Sequence, residues 1–313
     1  MLQKSKFFKN LETRIRLASW WRHFVHPHQL WSAIKFSGHF YMKFKQEEKI
    51  QFQDTLSVVL INKNEAGYLA EWIEYHKIVG VTKFYIYDNE STDNIKDVLR
   101  HYDDDVVYKY WPGRGQQISA YNDALKNYKL KTKWMAFIDT DEFLVPVQHE
   151  TIVDVINEIK PKYGLGASWV NYGNSGHLTR TPGLTIERFT RRAPLDHPKN
   201  LMVKSIINPR AAFMFAVHNG CFLGFRSSID ENGRRIAGFN LKPSIEKIRV
   251  NHYFTKSYEE FLNKKKRGDV ETPDGKFNKS FDEGNTNDLY DDIMLKYVPE
   301  IKLRLEQKGL LTR

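Results

Sequence analysis

Cysteine is almost absent from this sequence of 313 residues, in which Cys221 is the only one. A single cysteine excludes an internal disulfide and any zinc site built from several thiolates, and we expect it to be a small buried residue. No apolar run approaches the roughly twenty residues that a membrane-spanning helix needs. The first ten residues are basic and polar and lack the apolar core of a signal peptide. These absences predict a protein of a reducing compartment, the cytoplasm.

The net charge of +10 is concentrated near the N-terminus. Residues 1–50 contain ten Lys and Arg but only three acidic residues, so they carry seven of the ten net positive charges. Apolar residues at helical spacing and several tryptophans accompany the charge, which predicts a basic amphipathic helical appendage. Such a segment can bind peripherally to the inner face of a membrane, or it can pack on the core with its basic face in water. No recognised nucleic-acid module accompanies it.

From residue 56 onward, short apolar runs alternate with helical patterns. Four runs rich in β-branched and aromatic residues predict buried strands at Leu56–Ile61, Phe84–Tyr87, Val106–Tyr110 and Trp134–Ile138. Three helical patterns lie between them, and this alternation predicts an α/β fold with a doubly wound, mostly parallel sheet. Asn64 and Asp93 are expected to cap the helices that follow the first two strands.

Polar residues stand where these predicted strands end. They are Lys63, Asn64 and Glu65 after the first strand, Asp88 and Asn89 after the second, and Asp139 and Asp141 after the fourth. Ligands of doubly wound sheets bind at the carboxyl ends of the strands. We therefore expect these side chains to converge on one binding site, with Asp88 and Asn89 near a nucleoside base or ribose unless they only form a turn.

Asp139 and Asp141 carry the main chemical prediction. Two carboxylates two positions apart at the end of a buried strand repel each other, and a divalent cation relieves that repulsion. Mg²⁺ or Mn²⁺ bound there would neutralise charge on a departing diphosphate. His218 and His252 each follow a strand-like run, and either could supply a further ligand, although such a histidine can also be purely structural.

Two further residues are candidates for contacts with the donor. Gln117 begins the helix before the fourth strand and can contact phosphate or sugar, or can simply be exposed. Lys256 and the run Lys264–Arg267 could bind a diphosphate, although charge runs are usually solvated.

An ordered set of motifs resembles glycosyltransferase family 92 and its bacterial relatives. The segments are Lys63–His76, Gly80–Asp93, Trp134–Leu144, Lys204–His218 and Asn251–Gly268. The similarity runs from about residue 56 to residue 268. We accordingly divide the chain into the appendage 1–50, a catalytic domain 51–268 and a helical C-terminal tail 269–313.

The resemblance implies a GT-A-like fold, a UDP-sugar donor and Mn²⁺ or Mg²⁺. By similarity, Asp139 and Asp141 fall on the metal motif and Asp88 on the nucleoside position, and His252 is favoured over His218 as the late metal-binding histidine. Family members are often inverting galactosyltransferases. The lack of an anchor helix and of further cysteines suits a bacterial enzyme of surface polysaccharide or lipopolysaccharide assembly, which transfers a hexose to a glycan or glycolipid acceptor.

An inverting transferase needs a carboxylate that deprotonates the acceptor hydroxyl. Glu187 and Asp196 are both candidates, and the sequence does not choose between them. The alternative is a basic membrane- or polyanion-binding protein whose nucleotide-binding α/β core does not catalyse. Metal-dependent donor binding separates the two hypotheses, because a protein that only binds polyanions would show none.

Overall fold

The computed structural model describes residues 50–223, 226–272, 274 and 277–311. The predicted appendage, 1–50, therefore lies outside the described residues except for Ile50. The strands are β1 Asp54–Asn62, β2 Lys83–Asp88, β3 Val106–Tyr110, β4 Thr132–Phe137, β5 Glu142–Pro146, β6 Gly164–Asn171, β7 Arg191–Arg192, β8 Val203–Ile207, β9 Ala212–Phe215, β10 Gly220–Phe222, β11 Ser228–Ile229, β12 Arg235–Ile236, β13 Ile248–His252 and β14 Leu289–Tyr290. The α-helices are α1 Ala66–Ile78, α2 Ile95–Leu99, α3 Gln117–Tyr128, α4 Ile152–Ile159, α5 Thr185–Arg188, α6 Tyr258–Arg267, α7 Phe281–Gly284 and α8 Val298–Gln307.

One large sheet organises these elements. Its strand order is β12-β11-β6-β8-β4-β1-β2-β3, and β13 joins it by pairing with β6 and β5. The strands β3, β2, β1 and β4 are mutually parallel, whereas β8 is antiparallel to both of its neighbours. The predicted class, a GT-A-like doubly wound and mostly parallel sheet, is confirmed, and the four strands predicted from apolar runs are its parallel half.

The sheet is covered on both faces because its strands alternate their side chains. Along β1, Val58 and Leu60 pack with α1 on one face, while Val59 and Ile61 pack with α3 on the other. All four side chains are fully or almost fully buried. Burying an aliphatic side chain of this size contributes about 1.5–3 kcal/mol, so β1 is a main source of stability for the layers on each side.

Helix α1 also holds β5 through buried polar bonds. Trp72 Nε1 donates to the carbonyl oxygen of Glu142 at 2.8 Å, and the Tyr75 hydroxyl donates to that of Leu144 at 2.8 Å. The ring of His76 accepts from the backbone N–H of Leu144 through Nε2 at 3.3 Å. These hydrogen bonds give partners to buried polar groups, which would destabilise the fold if they were unpaired. They also fix the position of β5, the strand that follows Asp141.

The capping of α1 differs from the sequence prediction. Asn64 does not cap it; the Asn64 side chain accepts instead from the backbone N–H of Thr92 at 2.6 Å. The Asp93 carboxylate, predicted to cap the second helix, accepts from the N–H of Ala66 at 2.9 Å and so caps α1. The capping residue comes from another loop because β1 and β2 are parallel neighbours, so the loops that follow them lie side by side.

The segment after residue 268 packs on the same unit. Strand β14 pairs with β7, and Ile301 and Leu305 of α8 are buried in the core beside α1. The limits of the three predicted regions stay predictions. No helix among the described residues is long and apolar enough to cross a membrane.

Candidate active site

The centre of the site is the segment that connects β4 to β5. Asp139 follows β4 and Glu142 begins β5, so the chain turns within a few residues at the carboxyl edge of the sheet. The Glu142 carboxylate accepts from the backbone N–H of Asp139 at 2.9 Å and tightens this turn. The side chains of Asp141 and Glu142 are buried, whereas that of Asp139 is 32% exposed.

Lys204 of β8 neutralises the first of these carboxylates. Its ammonium lies 2.7 Å from Asp139 Oδ2 and 3.0 Å from Glu142 Oε2, and the lysine is only 1% exposed. Burial alone would raise the pKa of Asp139, but the nearby ammonium outweighs it and the pKa lies below its usual range. Burial dominates at Glu142 and raises its pKa to about 8, whereas the pair Asp139–Lys204 stays charged near pH 7.

The second oxygen of Asp139 is also engaged. Oδ1 accepts from Gln117 Nε2 at 3.2 Å and from the Tyr121 hydroxyl at 3.1 Å, both from α3. The predicted donor residue Gln117 therefore reaches the site, through Asp139. Both oxygens of Asp139 therefore accept hydrogen bonds from side chains of the protein.

Asp141 has a different environment, formed by β13 and α6. Lys264 of α6 donates to Asp141 Oδ2, and His252 Nε2 lies 3.7 Å from the same oxygen. Burial favours the protonated acid, yet these neighbours hold the pKa of Asp141 far below its usual range. Burial lowers the pKa of His252 to about 3, so its imidazole is neutral near pH 7.

The orientation of His252 suits a metal ligand. Its Nδ1 lies 3.0 Å from the Asn171 side-chain oxygen, an acceptor, so Nδ1 carries the proton and Nε2, 3.7 Å from Asp141 Oδ2, keeps its lone pair. Ligand atoms about 2.1 Å from one divalent ion are separated by at most about 4 Å, which accommodates the Asp141–His252 spacing. Oxygen and imidazole nitrogen both suit Mn²⁺, so these two residues fit a cation between them.

Protein ligands alone do not complete such a site. Among the described residues, no group of three or more His, Cys, Asp and Glu side chains is arranged to hold a metal ion. A divalent cation here would need oxygen atoms from a phosphate group or water, which is the usual coordination of Mg²⁺ in nucleotide sites.

The other predicted histidine is placed differently. The His218 ring packs edge-on against Trp169 at a centroid distance of 5.5 Å, and Trp169 also contacts the ring of His252 at 4.2 Å. Both histidines therefore contact the same indole ring, and His252 also lies beside Asp141.

A second buried charge cluster adjoins Asp141. Glu65 lies 2.6 Å from Arg267 of α6, and the buried Lys256 has its ammonium 3.9 Å from the centre of the Tyr68 ring. Burial alone would raise the pKa of Glu65, but Arg267 and Lys256 lower it. The predicted residues Glu65 and Lys256 are therefore brought together beside the carboxylates.

The end of β2 forms the far side of the site. The Asp88 carboxylate accepts from the Tyr108 hydroxyl at 2.7 Å and from the Ser91 N–H at 3.0 Å, beside a groove of about 280 Å³. The Asn89 amide donates to the carbonyl oxygens of Trp111 and Gly113, at 2.8 and 2.7 Å. Asn89 therefore holds the loop after β3.

The remaining predicted residues lie elsewhere on the surface. Lys63 is 4.0 Å from Glu90, a contact near the limit of an ion pair. Glu187 of α5 accepts from Lys302 at 2.7 Å, and Asp196 is exposed in the turn before residues 198–201. Neither acid contacts Asp139 or Asp141.

Two residues were missed as site residues by sequence reasoning: Lys204 and Asn171. A lysine inside the apolar run 203–207 was a signal, since an ammonium on a buried strand needs an acid partner. For Lys264 the sequence left two alternatives open, diphosphate binding or a solvated charge run. Its position three residues after the buried Phe261 would have placed it on the inner face of α6.

The sequence profile of glycosyltransferase family 92 matches residues 56–290. The chain belongs to glycosyltransferase family 92. A family 92 protein of Oryza sativa subsp. japonica is 32% identical over 163 residues, which are 50% of this chain and 28% of that protein. The beta-1,4-galactosyltransferase galt-1 of Caenorhabditis elegans is 25% identical over 227 residues, 66% of this chain and 50% of that protein.

The matched segments thus span less than two thirds of either relative. Among solved structures, Staphylococcus aureus TarS 1–349 is 17% identical, with a TM-score of 0.33, and the similarity covers 49% of this chain and 47% of TarS. For this family 92 chain, the profile match includes every residue of the site described above.

Proposed function

We propose that this family 92 chain transfers a hexose, such as galactose, from a UDP-sugar to a glycan or glycolipid acceptor in a reaction that depends on Mn²⁺ or Mg²⁺. The observation that carries the proposal is the Asp141–His252 pair. A buried carboxylate oxygen and the unprotonated nitrogen of a neutral imidazole lie 3.7 Å apart at the carboxyl edge of an α/β sheet.

Asp141 and His252 would hold the cation in this proposal. When bound, the cation would act as a Lewis acid that neutralises charge on the donor diphosphate. Asp139 would take a supporting part, because its oxygens are bound to Lys204, Gln117 and Tyr121. This differs from the sequence prediction in which Asp139 and Asp141 were equivalent ligands.

Lys264 would change partner during donor binding. In the structure its ammonium neutralises Asp141, and a cation at Asp141 would compete with it for the same oxygen. The displaced ammonium is then available for the phosphate oxygens of the donor, where it would stabilise the negative charge of the leaving group. The buried ammonium of Lys256 would add to this positive potential.

The groove beside Asp88 would take the nucleoside. Asp88 accepts two hydrogen bonds that fix its carboxylate, and the phenol of Tyr110 in the same groove is 56% exposed. A fixed carboxylate can accept from a ribose hydroxyl or from a base N–H.

Glu187 is our candidate for the catalytic base, and Asp196 is the weaker one. Glu187 lines a cavity at the first turn of α1, next to Tyr68. It would take the proton of the acceptor hydroxyl while that oxygen bonds to the anomeric carbon. The bond from that carbon to the phosphate oxygen would break with its electron pair on UDP, and the configuration would invert.

Surface polysaccharide or lipopolysaccharide assembly at the inner face of a membrane belongs to this proposal. It rests on the sequence resemblance and on the basic composition of residues 1–50.

The test is calorimetric titration of the full chain with UDP, with and without Mn²⁺. We expect UDP to bind in the presence of Mn²⁺ and Asp141→Asn to weaken that binding at least tenfold. Asp123→Asn is the matched control, because Asp123 on α3 forms an ion pair with Lys109 on β3. Wild-type protein that binds no UDP with Mn²⁺ or Mg²⁺, or an Asp141→Asn variant that binds normally, would refute the proposal.

A further inference from the structure

A cavity of about 610 Å³ opens beside the first turn of α1. Its walls are that turn, the segment 180–188 and the end of α8 with the residues that follow it. Its size lies within the range of small-molecule sites, and its lining combines apolar side chains with two acids, Glu71 and Glu187, and three cations, Arg180, Arg188 and Lys302.

Two of these cations are already neutralised. Arg188 makes two hydrogen bonds of 2.9 Å to the Glu260 carboxylate, and Lys302 lies 2.7 Å from Glu187. Arg180 is different, because its guanidinium has no carboxylate partner among the described residues. It packs over the Tyr68 ring at 5.1 Å from the ring centre, with the side chain exposed to the cavity.

Tyr68 lines this cavity and also contacts the cluster beside the proposed donor site. The Lys256 ammonium lies 3.9 Å from the centre of the same ring that Arg180 contacts. The Tyr68 hydroxyl donates to Glu260 at 2.9 Å, which fixes the ring in place. A molecule in the cavity that contacts Tyr68 would therefore lie close to the cluster that contains Lys256 and Glu65.

We propose that this cavity binds the acceptor and that Arg180 recognises a carboxylate or phosphate group on it. The inference rests on the proposed function, because it assigns the acceptor of the same reaction. A guanidinium forms two parallel hydrogen bonds with either oxyanion, which a neutral sugar cannot replace. Glu187 lines the same cavity, so the candidate base and the anion contact would act on one bound molecule.

The experiment uses the full chain with Mn²⁺ and UDP and three probes, observed by saturation-transfer NMR. The probes are a disaccharide with one glucuronate, its carboxyl-reduced neutral counterpart, and the same neutral disaccharide with one 6-phosphate. We expect at least one charged probe to bind about tenfold or more tightly than the neutral one, the value of a hydrogen bond to a charged group.

The variant Arg180→Gln should reduce the affinity for the charged probe to that of the neutral disaccharide and leave UDP binding unchanged. Arg235→Gln, which changes an exposed arginine on β12, is the matched control and should keep the preference. A preference for glucuronate identifies a uronate acceptor, and a preference for the phosphate identifies a phosphorylated one.

Two results would overturn the inference. They are charged probes that bind no more tightly than the neutral one, and equal behaviour of Arg180→Gln and Arg235→Gln. If UDP binds with Mn²⁺ in these samples, such a result rejects the anionic acceptor alone. If UDP does not bind, the proposed function fails. The comparison of charged and neutral probes still shows whether the cavity prefers an anionic ligand.

Discussion

His252 Nε2 lies 3.7 Å from Asp141 Oδ2, too far for a hydrogen bond and close enough for one cation to contact both atoms. Backbone pairing produces this relationship. His252 of β13 is paired with Glu142 of β5, and the N–H of Tyr253 donates to the carbonyl oxygen of Asp141 at 2.8 Å. The candidate metal ligands are thus positioned by the sheet rather than by mobile side chains.

Asn171 orients His252, and its removal should weaken metal binding. Asn171→Ala leaves the Nδ1 proton of His252 without its acceptor, so we expect Mn²⁺ affinity to fall about 10- to 100-fold, as is usual for residues behind a metal ligand. Electron paramagnetic resonance of free Mn²⁺ measures this. Asn174→Ala, another buried amide, is the control. Equal affinities for the two variants would contradict the role of Asn171.

Lys264 should compete with the cation for Asp141. In Lys264→Met the carboxylate loses its ammonium partner, and we expect Mn²⁺ without nucleotide to bind about tenfold more tightly. UDP in saturating Mn²⁺ should bind more weakly, because an ammonium near the diphosphate is lost. Lys265→Met changes an exposed neighbour on the same helix and should alter neither affinity. Unchanged affinities in Lys264→Met would exclude the proposed change of partner of Lys264 from Asp141 to the donor diphosphate.

Asp88 should act on the nucleoside without acting on the metal. Asp88→Asn keeps the size of the side chain but removes its charge and one acceptor. We expect UDP affinity in saturating Mn²⁺ to fall about tenfold, the value of a lost hydrogen bond to a charged group. Mn²⁺ affinity in the absence of nucleotide should not change. The prediction fails if UDP binds Asp88→Asn as it binds the wild-type chain.

Because of the pair Arg188–Glu260, the free energy of unfolding should depend on pH in the acid range. Burial alone would raise the pKa of Glu260, but its bonds with Arg188 and Ser257 lower it to about 2. The stability gained from the ionised carboxylate is therefore complete above its ordinary pKa of 4.5 and is lost as the pH falls toward 2.

Glu260→Gln tests this dependence. At pH 7 it leaves the buried Arg188 unpaired and should destabilise the fold by about 3 kcal/mol, measured by urea unfolding. The difference from wild type should shrink below about pH 4.5. Asp97→Asn, in an exposed pair with Arg100, should cost less than about 1 kcal/mol. A difference that is constant from pH 7 to pH 3 would contradict the assigned pKa.

The sequence predicted the parallel half of the sheet because buried parallel strands are continuous apolar runs, as in Leu56–Ile61. It also placed candidate site residues at the strand ends, among them Asp139, Asp141 and His252, and their role stays a prediction. The metal, the donor contacts and the base stay predictions from that sequence.

Partners distant in the chain could not be predicted from local patterns. Lys204 is 65 residues from Asp139, and Lys264 is 123 residues from Asp141. Periodicity describes which face of an element is buried, but not which element covers it. The capping of α1 by Asp93 was missed for the same reason, since capping patterns are defined within a few residues of one helix.

The pairing of β13 with both β5 and β6 has a consequence for the way the chain acquires activity. Asp141 and His252 meet only after a loop of more than a hundred residues has closed, and such long closures are slow and occur late. During synthesis, the parallel half of the sheet can assemble while β13 is still unmade. The nascent chain would then carry the acidic residues of the sheet edge without His252 beside them. The ability to bind a cation would therefore appear only when folding is complete.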